Sequence, residues 1–177
     1  MLLLILIWIN FSKNSIIQLN VEKFDTSYTN LVDAFTFSIF KSTIFMNNCS
    51  LHNFYPGGLY SVKASLLSVS SCAFHQTIVR DFAQNPTVYS EDSFHLLIEF
   101  SSFRNSYSYN GSALKLQCLM TNNTLMQNVI SFSTFSYNLA DSNGGAIYVQ
   151  NCTLHINSSN FSRKRSKSMG GAIFLEW

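Results

Sequence analysis

The stretch Gly144-Gly145-Ala146-Ile147-Tyr148-Val149 decides the fold, because it returns as Gly170-Gly171-Ala172-Ile173-Phe174-Leu175. Weaker copies run from Gly111 to Leu116 and from Gly57 to Val62. Across the four copies the fourth position reads Ile, Ile, Leu, Tyr, the sixth reads Val, Leu, Leu, Val, and the fifth varies. Side chains alternate faces along a strand, so positions four and six are predicted to point inward and position five to solvent. Each copy therefore predicts a strand that follows a glycine turn.

A second phrase, centred on phenylalanine, lies between the glycine phrases. Each anchor has an apolar residue five positions before it and a small residue two positions before it. The anchors recur with a period of about 29 residues, which together with short strands and no helical pattern indicates one coil of a parallel β-solenoid. The anchors are Phe45, Phe74, Phe103, Phe135 and Phe161; the apolar residues are Phe40, Val69, Ile98, Ile130 and Ile156; the small residues are Thr43, Cys72, Ser101, Ser133 and Ser159.

Together the phrases predict an all-β chain, a right-handed single-stranded parallel β-helix of about five to six coils over residues 16–177. Stacked coils place each column over itself, and the bends between sheets are expected to use Gly and Asn. The last strand, which ends near Trp177, has no following bend, so the helix is predicted to be incomplete there. Unpaired strand edges attract other strands, and we expect further repeats or an end-to-end pairing with another chain.

The paired phrases resemble the polymorphic outer membrane protein repeat, whose signature joins Gly-Gly-Ala-Ile with Phe-x-x-Asn. The best pair is Phe135 and Asn138 followed by Gly144, Gly145, Ala146 and Ile147, and the glycine phrase returns as Gly170, Gly171, Ala172 and Ile173. Phe74, Phe103 and Phe161 depart from the pattern because they lack the Asn. The resemblance implies a pectin-lyase-like β-helix that acts as an extracellular passenger or adhesin rather than as an enzyme.

Composition agrees with a packed β protein and excludes other classes. Apolar residues make up 47% and aromatic residues 15% of the chain, too many for a disordered protein. Charged residues are 11%, against about 25% in an average domain, and the formal charge is +2. A net charge this small creates too weak an electrostatic field to argue for nucleic acid as the partner.

The first fifteen residues have two interpretations. Met1 to Ile9 is an unbroken apolar run, shorter than the roughly 20 residues that span a bilayer. Its length suits the core of a secretory signal, but no basic residue precedes it and no small-x-small site follows it. Residues 1–15 are therefore either a signal segment or the first strand, and the expected location is extracellular or at the cell surface, by the secretory pathway.

Candidate catalytic and metal-binding residues show no pattern. The acidic residues fall at scattered positions relative to the phenylalanine anchors, and the histidines lack ligand spacing; they are Glu22, Asp25, Asp33, Asp81, Glu91, Asp92, Glu99, Asp141, Glu176 and His52, His75, His95, His155. We predict no cofactor, no metal and no enzymatic activity, and a structural or adhesive role. The alternative is a polysaccharide lyase or hydrolase on the same fold, which would need clustered carboxylates.

One cluster of charge, Arg163, Lys164, Arg165 and Lys167, is a candidate anion-binding loop. A solvated loop explains it as well. No aromatic residue stands among the four to stack on bases, so nucleic acid is the least expected ligand. Surface glycans or other proteins are the expected partners.

Cysteines and glycosylation sequons suit a secreted chain. No two of the four cysteines have the Cys-x-x-Cys spacing, which argues against a zinc site; they are Cys49, Cys72, Cys118 and Cys152. Cys118 and Cys152 each follow a glycine-led strand, so a disulfide between them and buried free thiols both fit. Candidate N-glycosylation sites are Asn48, Asn110, Asn122, Asn151 and Asn157; Asn10 and Asn160 also start sequons.

Overall fold

A computed structural model describes residues 18–22, 37–40, 43–52, 59–64, 66–75, 85–118 and 127–177, and every regular element in these ranges is a strand. The strands form four sheets. Sheet A holds β1 (Gln18–Glu22), β3 (Thr43–Asn47), β6 (Leu66–Ser70), β9 (His95–Glu99), β13 (Gln127–Ser131) and β17 (His155–Asn157). Sheet B holds β4 (Ser50–His52), β7 (Ala73–His75), β10 (Ser102–Arg104), β14 (Thr134–Ser136) and β18 (Asn160–Ser162).

Sheet C is the shortest, with β11 (Tyr107–Ser108), β15 (Leu139–Ala140) and β19 (Arg165–Ser166). Sheet D holds β2 (Phe37–Phe40), β5 (Leu59–Val62), β8 (Val88–Glu91), β12 (Leu114–Gln117), β16 (Ile147–Gln150) and β20 (Ile173–Glu176). Neighbouring strands pair in parallel and in register throughout, as in the pair β12 and β16. From β9 onward the chain visits A, B, C and D in turn and returns to A one coil further on; the described strands before β9 include none in sheet C.

The class predicted from the sequence, an all-β parallel solenoid, is confirmed. The predicted count of five to six coils is wrong for complete coils, since three coils show all four strands among the described residues, from His95 to Glu176. Sheets A and D nevertheless extend over six rungs. Residues 1–15 lie outside the described part of the chain, and the right-handed sense stays a prediction.

The interior is built from columns of equivalent side chains. Phe74, Phe103, Phe135 and Phe161 stack with ring centroids 4.8–5.0 Å apart and planes within 5°. The first three are at most 1% exposed. Each ring in this series contacts the ring of the next coil, so each junction between coils gains a buried aromatic contact. The predicted apolar column of Val69, Ile98, Ile130 and Ile156 also lies in register, in sheet A.

The assignment of Phe45 as an anchor is wrong. Phe45 lies in β3, where it pairs with Ser68 on an outward-facing position. Leu51 occupies the column instead, opposite Phe74. The regular spacing between Phe45 and Phe74 is a coincidence, because that coil is shorter and runs from Leu51 to Phe74. The partners predicted for Phe45 move with it: Met46 replaces Phe40 and Cys49 replaces Thr43.

The small residues before the anchors form a hydrogen-bonded ladder. The backbone N–H of Cys72 donates to Ser101 Oγ (3.1 Å), that of Ser101 to Ser133 Oγ (3.2 Å), and that of Ser133 to Ser159 Oγ (3.2 Å). In turn the Ser101 hydroxyl donates to the carbonyl two positions earlier, at 2.8 Å. A small side chain is needed here because its hydroxyl must accept from the preceding coil and donate to its own coil without leaving the bend.

The bends use left-handed backbone at equivalent positions, but mostly not with the residues expected. Gly111, Gly144 and Gly170 share one corner, with φ of 57°, 63° and 63°. Among the described residues, eleven others also have positive φ, and Asn accounts for three of them. Bulky residues are unfavourable in this conformation, yet Phe100, Phe132 and Tyr137 adopt it; the register between stacked coils fixes the bend whatever residue occupies it.

The strand β5 pairs one residue earlier than the glycine phrase predicts. Leu59, rather than Tyr60, pairs with Val88 and so shares the inward column of Leu114 and Ile147. Tyr60 faces outward and is 38% exposed. A slip of one residue exchanges the two faces of a strand, which is why the aligned phrase places Tyr60 in the core.

Candidate binding surface

The residues of the repeat motif hold neighbouring coils together. Asn138 is 1% exposed; its Oδ1 accepts from the backbone N–H of Ser106 (3.1 Å) and its Nδ2 donates to the carbonyl of Phe103 (3.3 Å). Gly145 lies where the backbone of the next coil approaches most closely, at Gly171 and Arg165. The paired phrases Phe-x-x-Asn and Gly-Gly-Ala-Ile therefore encode contacts between coils.

The four cysteines fall into two pairs. A disulfide joins Cys118 and Cys152, whose Cα atoms are 5.4 Å apart, and so crosslinks two neighbouring coils. Cys49 and Cys72 are buried thiols outside the disulfide, at equivalent positions of the serine ladder, and the Cys49 N–H donates to Cys72 Sγ (3.4 Å). Burial raises the pKa of Cys72 to about 12, so this thiol stays protonated at neutral pH and is a poor nucleophile.

The candidate anion-binding loop does not converge on one point. Arg163 lies against the ring of Tyr137 and donates to its hydroxyl, and the Lys164 ammonium lies 5.9 Å from the centre of the Phe161 ring. Lys167 pairs with Asp141 at 2.6 Å, and Asp141 also accepts from the Tyr107 hydroxyl. The expectation that no aromatic residue accompanies these cations is wrong, because the coil before supplies Tyr137 and the inner column supplies Phe161.

A guanidinium–aromatic stack crosses three coils beside sheet B. Arg104 from one coil lies 5.2 Å from the centre of the Tyr137 ring of the next coil, and Arg163 from the coil after that lies 4.9 Å from it. Within the part of the chain that the structure describes, the Arg104 guanidinium makes no hydrogen bond or ion pair. Stacking fixes such a group while its N–H donors, which lie in the plane of the group, stay available.

At the opposite edge of sheet B, two exposed phenylalanines stack on each other. Phe100 and Phe132 are 60% and 52% exposed, with ring centroids 5.1 Å apart and planes within 5°. Between the two edges the strands point Ser102, Thr134 and Asn160 outward, since Phe103, Phe135 and Phe161 point inward. We call the outer side of β10, β14 and β18, with the edges formed by Phe100, Phe132, Arg104, Tyr137 and Arg163, the B face.

A shallow cleft of about 140 Å³ continues from the B face onto sheet C. It is lined by Tyr107, Leu139, Asp141, Arg165 and Lys167. Arg165 has no side-chain hydrogen bond or ion pair with any residue that the structure describes. The volume of the cleft is below the roughly 300 Å³ of an ordinary small-molecule site. The cleft therefore suits part of an extended ligand rather than a complete small molecule.

Sheet D carries a second outward aromatic column. Tyr60 stacks on Tyr89 with centroids 4.8 Å apart, and the Lys115 ammonium lies between Tyr89 and Tyr148, 5.3 Å and 5.8 Å from the ring centres. Burial and a hydrogen bond to Glu176 raise the pKa of Tyr148 to about 12. The Tyr89 hydroxyl donates to Glu91 and Gln117 at 2.7 Å and 2.9 Å. These polar groups satisfy one another, so this column leaves few free donors.

Glu91, Asp141 and Glu176 do not come together at one point. Glu91 and Glu176 share a column but are separated by the coils of Gln117 and Gln150, and Asp141 is held by Tyr107 and Lys167. No group of three or more His, Cys, Asp or Glu side chains in these ranges could hold a metal ion. Asp25, Asp33 and Asp81 lie outside them, together with the sequons at Asn10 and Asn122.

The histidines show a relation that their spacing hides. His52 and His75 occupy equivalent positions on β4 and β7, with ring centroids 5.6 Å apart. Burial, with His52 and Arg104 nearby, lowers the pKa of His75. His52 and His75 are separated by one short coil, as Leu51 and Phe74 are. Their separation in sequence therefore differs from the period of the later coils. The candidate glycosylation sites Asn48, Asn151 and Asn157 are exposed and Asn110 is half-buried, and their modification stays a prediction.

Comparison with known proteins supports the resemblance at the level of one repeat. Residues 132–150 match the family model of the Chlamydia polymorphic membrane protein repeat. This segment runs from the Phe132 corner through β14, β15 and the glycine turn to the end of β16, and so makes up most of one coil. No curated protein and no solved structure matches the chain.

The chain is a parallel β-solenoid whose segment 132–150 is similar to the polymorphic membrane protein repeat. The fold and the match fit a repeat protein of the cell surface. No helix in the described ranges is long and apolar enough to cross a membrane.

Proposed function

We propose that this chain is a non-catalytic, adhesive part of a surface protein, delivered through the secretory pathway and displayed outside the cell. The observation that carries the proposal is that the residues of the chain fall into two sets with different roles. The repeat columns of Phe, Ser, Asn and Gly are used in contacts between coils, while the variable outward positions present aromatic and cationic side chains on a rigid support.

An adhesive surface needs exposed groups whose positions do not change when a partner arrives. The B face meets this requirement, because β10 and β14 are each paired on both sides and its aromatic rings are held by their neighbours. Preorganised side chains lose little conformational entropy on binding. The scattered carboxylates give no comparable support to the alternative of a polysaccharide lyase or hydrolase, which would need an acid and a base at one point.

The test is attachment of beads that carry the purified chain to whole cells and to immobilised surface glycans. Beads that carry an unrelated β-solenoid of similar charge serve as the control. Attachment above this control is expected, and its absence on every surface would remove the adhesive role. Turnover of a polyuronate that is lost in Asp141→Asn would instead support the enzymatic alternative.

We also propose that a further coil, from the same protein or from a second chain, stacks on β17 to β20. Ile156 and Leu175 occupy inward columns yet are 37% and 50% exposed. A β-carbon added to Gly171 would meet nothing within 4 Å, whereas its equivalent Gly145 is tightly enclosed. A longer version of the chain with one more repeat is expected to protect the amides of β20 from hydrogen exchange.

A further inference from the structure

The B face has a charge that the composition of the whole chain conceals. Segments 100–106, 132–140 and 158–167 build this face and part of the adjoining cleft over three coils; the other lining residues of the cleft are Tyr107 and Asp141. The three segments contain five cationic side chains and no acidic one, although the whole chain has a formal charge of only +2. The cationic residues are Arg104, Arg163, Lys164, Arg165 and Lys167.

The acidic residues nearest in sequence to these segments do not neutralise the face. Glu99 accepts a hydrogen bond from the Ser131 hydroxyl at 3.1 Å, on the far side of the Phe100 corner. Asp141 pairs with Lys167, the cation farthest from the face. Arg104 and Arg165 have no carboxylate partner among the described residues. The arginines therefore form a cationic strip that favours an anionic partner.

The spacing of the cations suits a repeating ligand. Arg104 and Arg163 lie on opposite sides of Tyr137, one coil before it and one coil after it, so two rungs or roughly 10 Å separate their coils. Stacked guanidinium groups present fixed N–H donors that match carboxylate or sulfate groups in a bidentate manner. A polymer with anionic groups at regular intervals can satisfy several such cations in a row.

The aromatic edge indicates that the ligand also contains rings or apolar faces. Phe100 and Phe132 are largely exposed at bends with φ of 48° and 49°, a conformation unfavourable for bulky residues. The equivalent corner in other coils carries Asn48, Ser71 and Ser158, so the fold itself does not need phenylalanine there. Between the edges, Ser102, Thr134 and Asn160 supply hydroxyl and amide groups for hydrogen bonds with sugar hydroxyls.

We propose that the B face binds an acidic polysaccharide, with sulfate or carboxylate groups on Arg104 and Arg163 and sugar rings against Phe100 and Phe132. The inference rests on the proposed adhesive function and names the partner of that function. Nucleic acid would also be attracted by the charge, and its binding is therefore an outcome of the test below.

The experiment measures binding of the full-length chain to heparin and to polygalacturonate, with neutral dextran and single-stranded DNA as comparison probes. Affinity for at least one acidic polysaccharide is expected to fall with salt. The double variant Arg104→Ala/Arg163→Ala is expected to weaken it at least about tenfold. Phe100→Ser/Phe132→Ser is expected to weaken it about three- to tenfold.

Lys115→Ala is the matched control, because it also removes a cation that lies between aromatic rings, but on sheet D. Its affinity should stay within about twofold of the parent chain. Unchanged binding in the arginine variant, or an equal loss in Lys115→Ala, would overturn the proposal. Equal affinity for DNA with the same dependence on the two arginines would overturn it as well, since the face would then recognise any polyanion.

The bead assay separates this inference from the function on which it rests. If beads with the parent chain and beads with the arginine variant attach equally well to cells, the acidic-polysaccharide site is wrong and the adhesive role stands. If purified polysaccharide binds as expected while the beads attach to no surface, the site stands and the adhesive role is wrong.

Discussion

The carbonyl oxygen of Gly171 occupies the space that a β-carbon on Gly145 would need, at a separation well under 3.0 Å. The carbonyl group of Arg165 crowds the same point from the strand of sheet C. Two neighbouring coils thus meet at a residue without a side chain. This contact explains the absence of a side chain at Gly145 in particular, since Ser112 holds the equivalent position one coil earlier. The first glycine, Gly144, has a φ of +63°, which favours glycine.

Gly145→Ala is therefore expected to destabilise the solenoid by about 1–3 kcal/mol, because backbone atoms cannot rotate away from the added carbon. Gly171→Ala is the matched control, since nothing lies within 4 Å of its added carbon, and its effect should stay within about 0.5 kcal/mol. Urea unfolding followed by far-ultraviolet circular dichroism measures both. Equal losses in the two variants would contradict the packing explanation.

The two phenylalanine columns should respond oppositely to substitution. Phe103 is fully buried between Phe74 and Phe135, so Phe103→Ser is expected to cost about 3–5 kcal/mol, as other large truncations in cores do. Phe100→Ser removes an exposed ring from a left-handed bend and is expected to leave stability unchanged or slightly raised. Thermal melts of the two variants decide this, and a loss in Phe100→Ser as large as that in Phe103→Ser would show that the exposed stack is structural.

The inner columns can be predicted from the sequence where the spacing between coils is regular. Phe103 and Phe135 are recognisable because each follows its apolar and small partners at fixed distances, and the fold class follows from them. Phe45 is misassigned because an earlier coil is shorter, and only pairing of the strands shows that Leu51 holds the position.

The B face cannot be predicted in the same way. Arg104, Tyr137 and Arg163 are separated by unequal lengths of chain, and they belong to two different sequence positions of the coil, a strand end and a corner. Loops of different length bring them into contact, and no pattern of residues defines the register across such loops. The cluster around Arg163 is visible from its charge alone, but its aromatic partner in the preceding coil is not.

The buried side chain of Asn138, the Asn of the Phe-x-x-Asn phrase, is expected to be important for stability. Asn138→Ala leaves the buried N–H of Ser106 and carbonyl of Phe103 without the partners they have in the native chain. Each unsatisfied group costs about 1–3 kcal/mol, so a loss of about 2–4 kcal/mol is expected in urea unfolding. Asn160→Ala, at an exposed position on the neighbouring coil, is the control and should change stability by under about 0.5 kcal/mol.

The protonation of Cys72 predicts how stability changes with alkaline pH. Its pKa is raised by burial from 9.0 to about 12 in the folded chain, so between these values the unfolded thiol releases a proton that the folded thiol retains. The contribution of the Cys72 thiol to the free energy of unfolding is therefore fully present below pH 9 and is lost as pH rises towards 12. At pH 10 the loss from this group is expected to be about 1 kcal/mol relative to pH 8.

Cys72→Ser tests the origin of this loss, because a hydroxyl can take the place of the thiol as acceptor for the Cys49 N–H, as serine does in the ladder at Ser101 and Ser133. The variant should fold, and its urea midpoint should fall less between pH 8 and pH 10 than that of the parent chain. Part of the remaining fall comes from Tyr148, whose pKa is raised from 10.0 to about 12, and from Tyr89, whose pKa is also raised by burial; Tyr89→Phe/Tyr148→Phe removes that part. A midpoint of Cys72→Ser that falls between pH 8 and pH 10 as steeply as that of the parent chain would place the proton release elsewhere in the molecule.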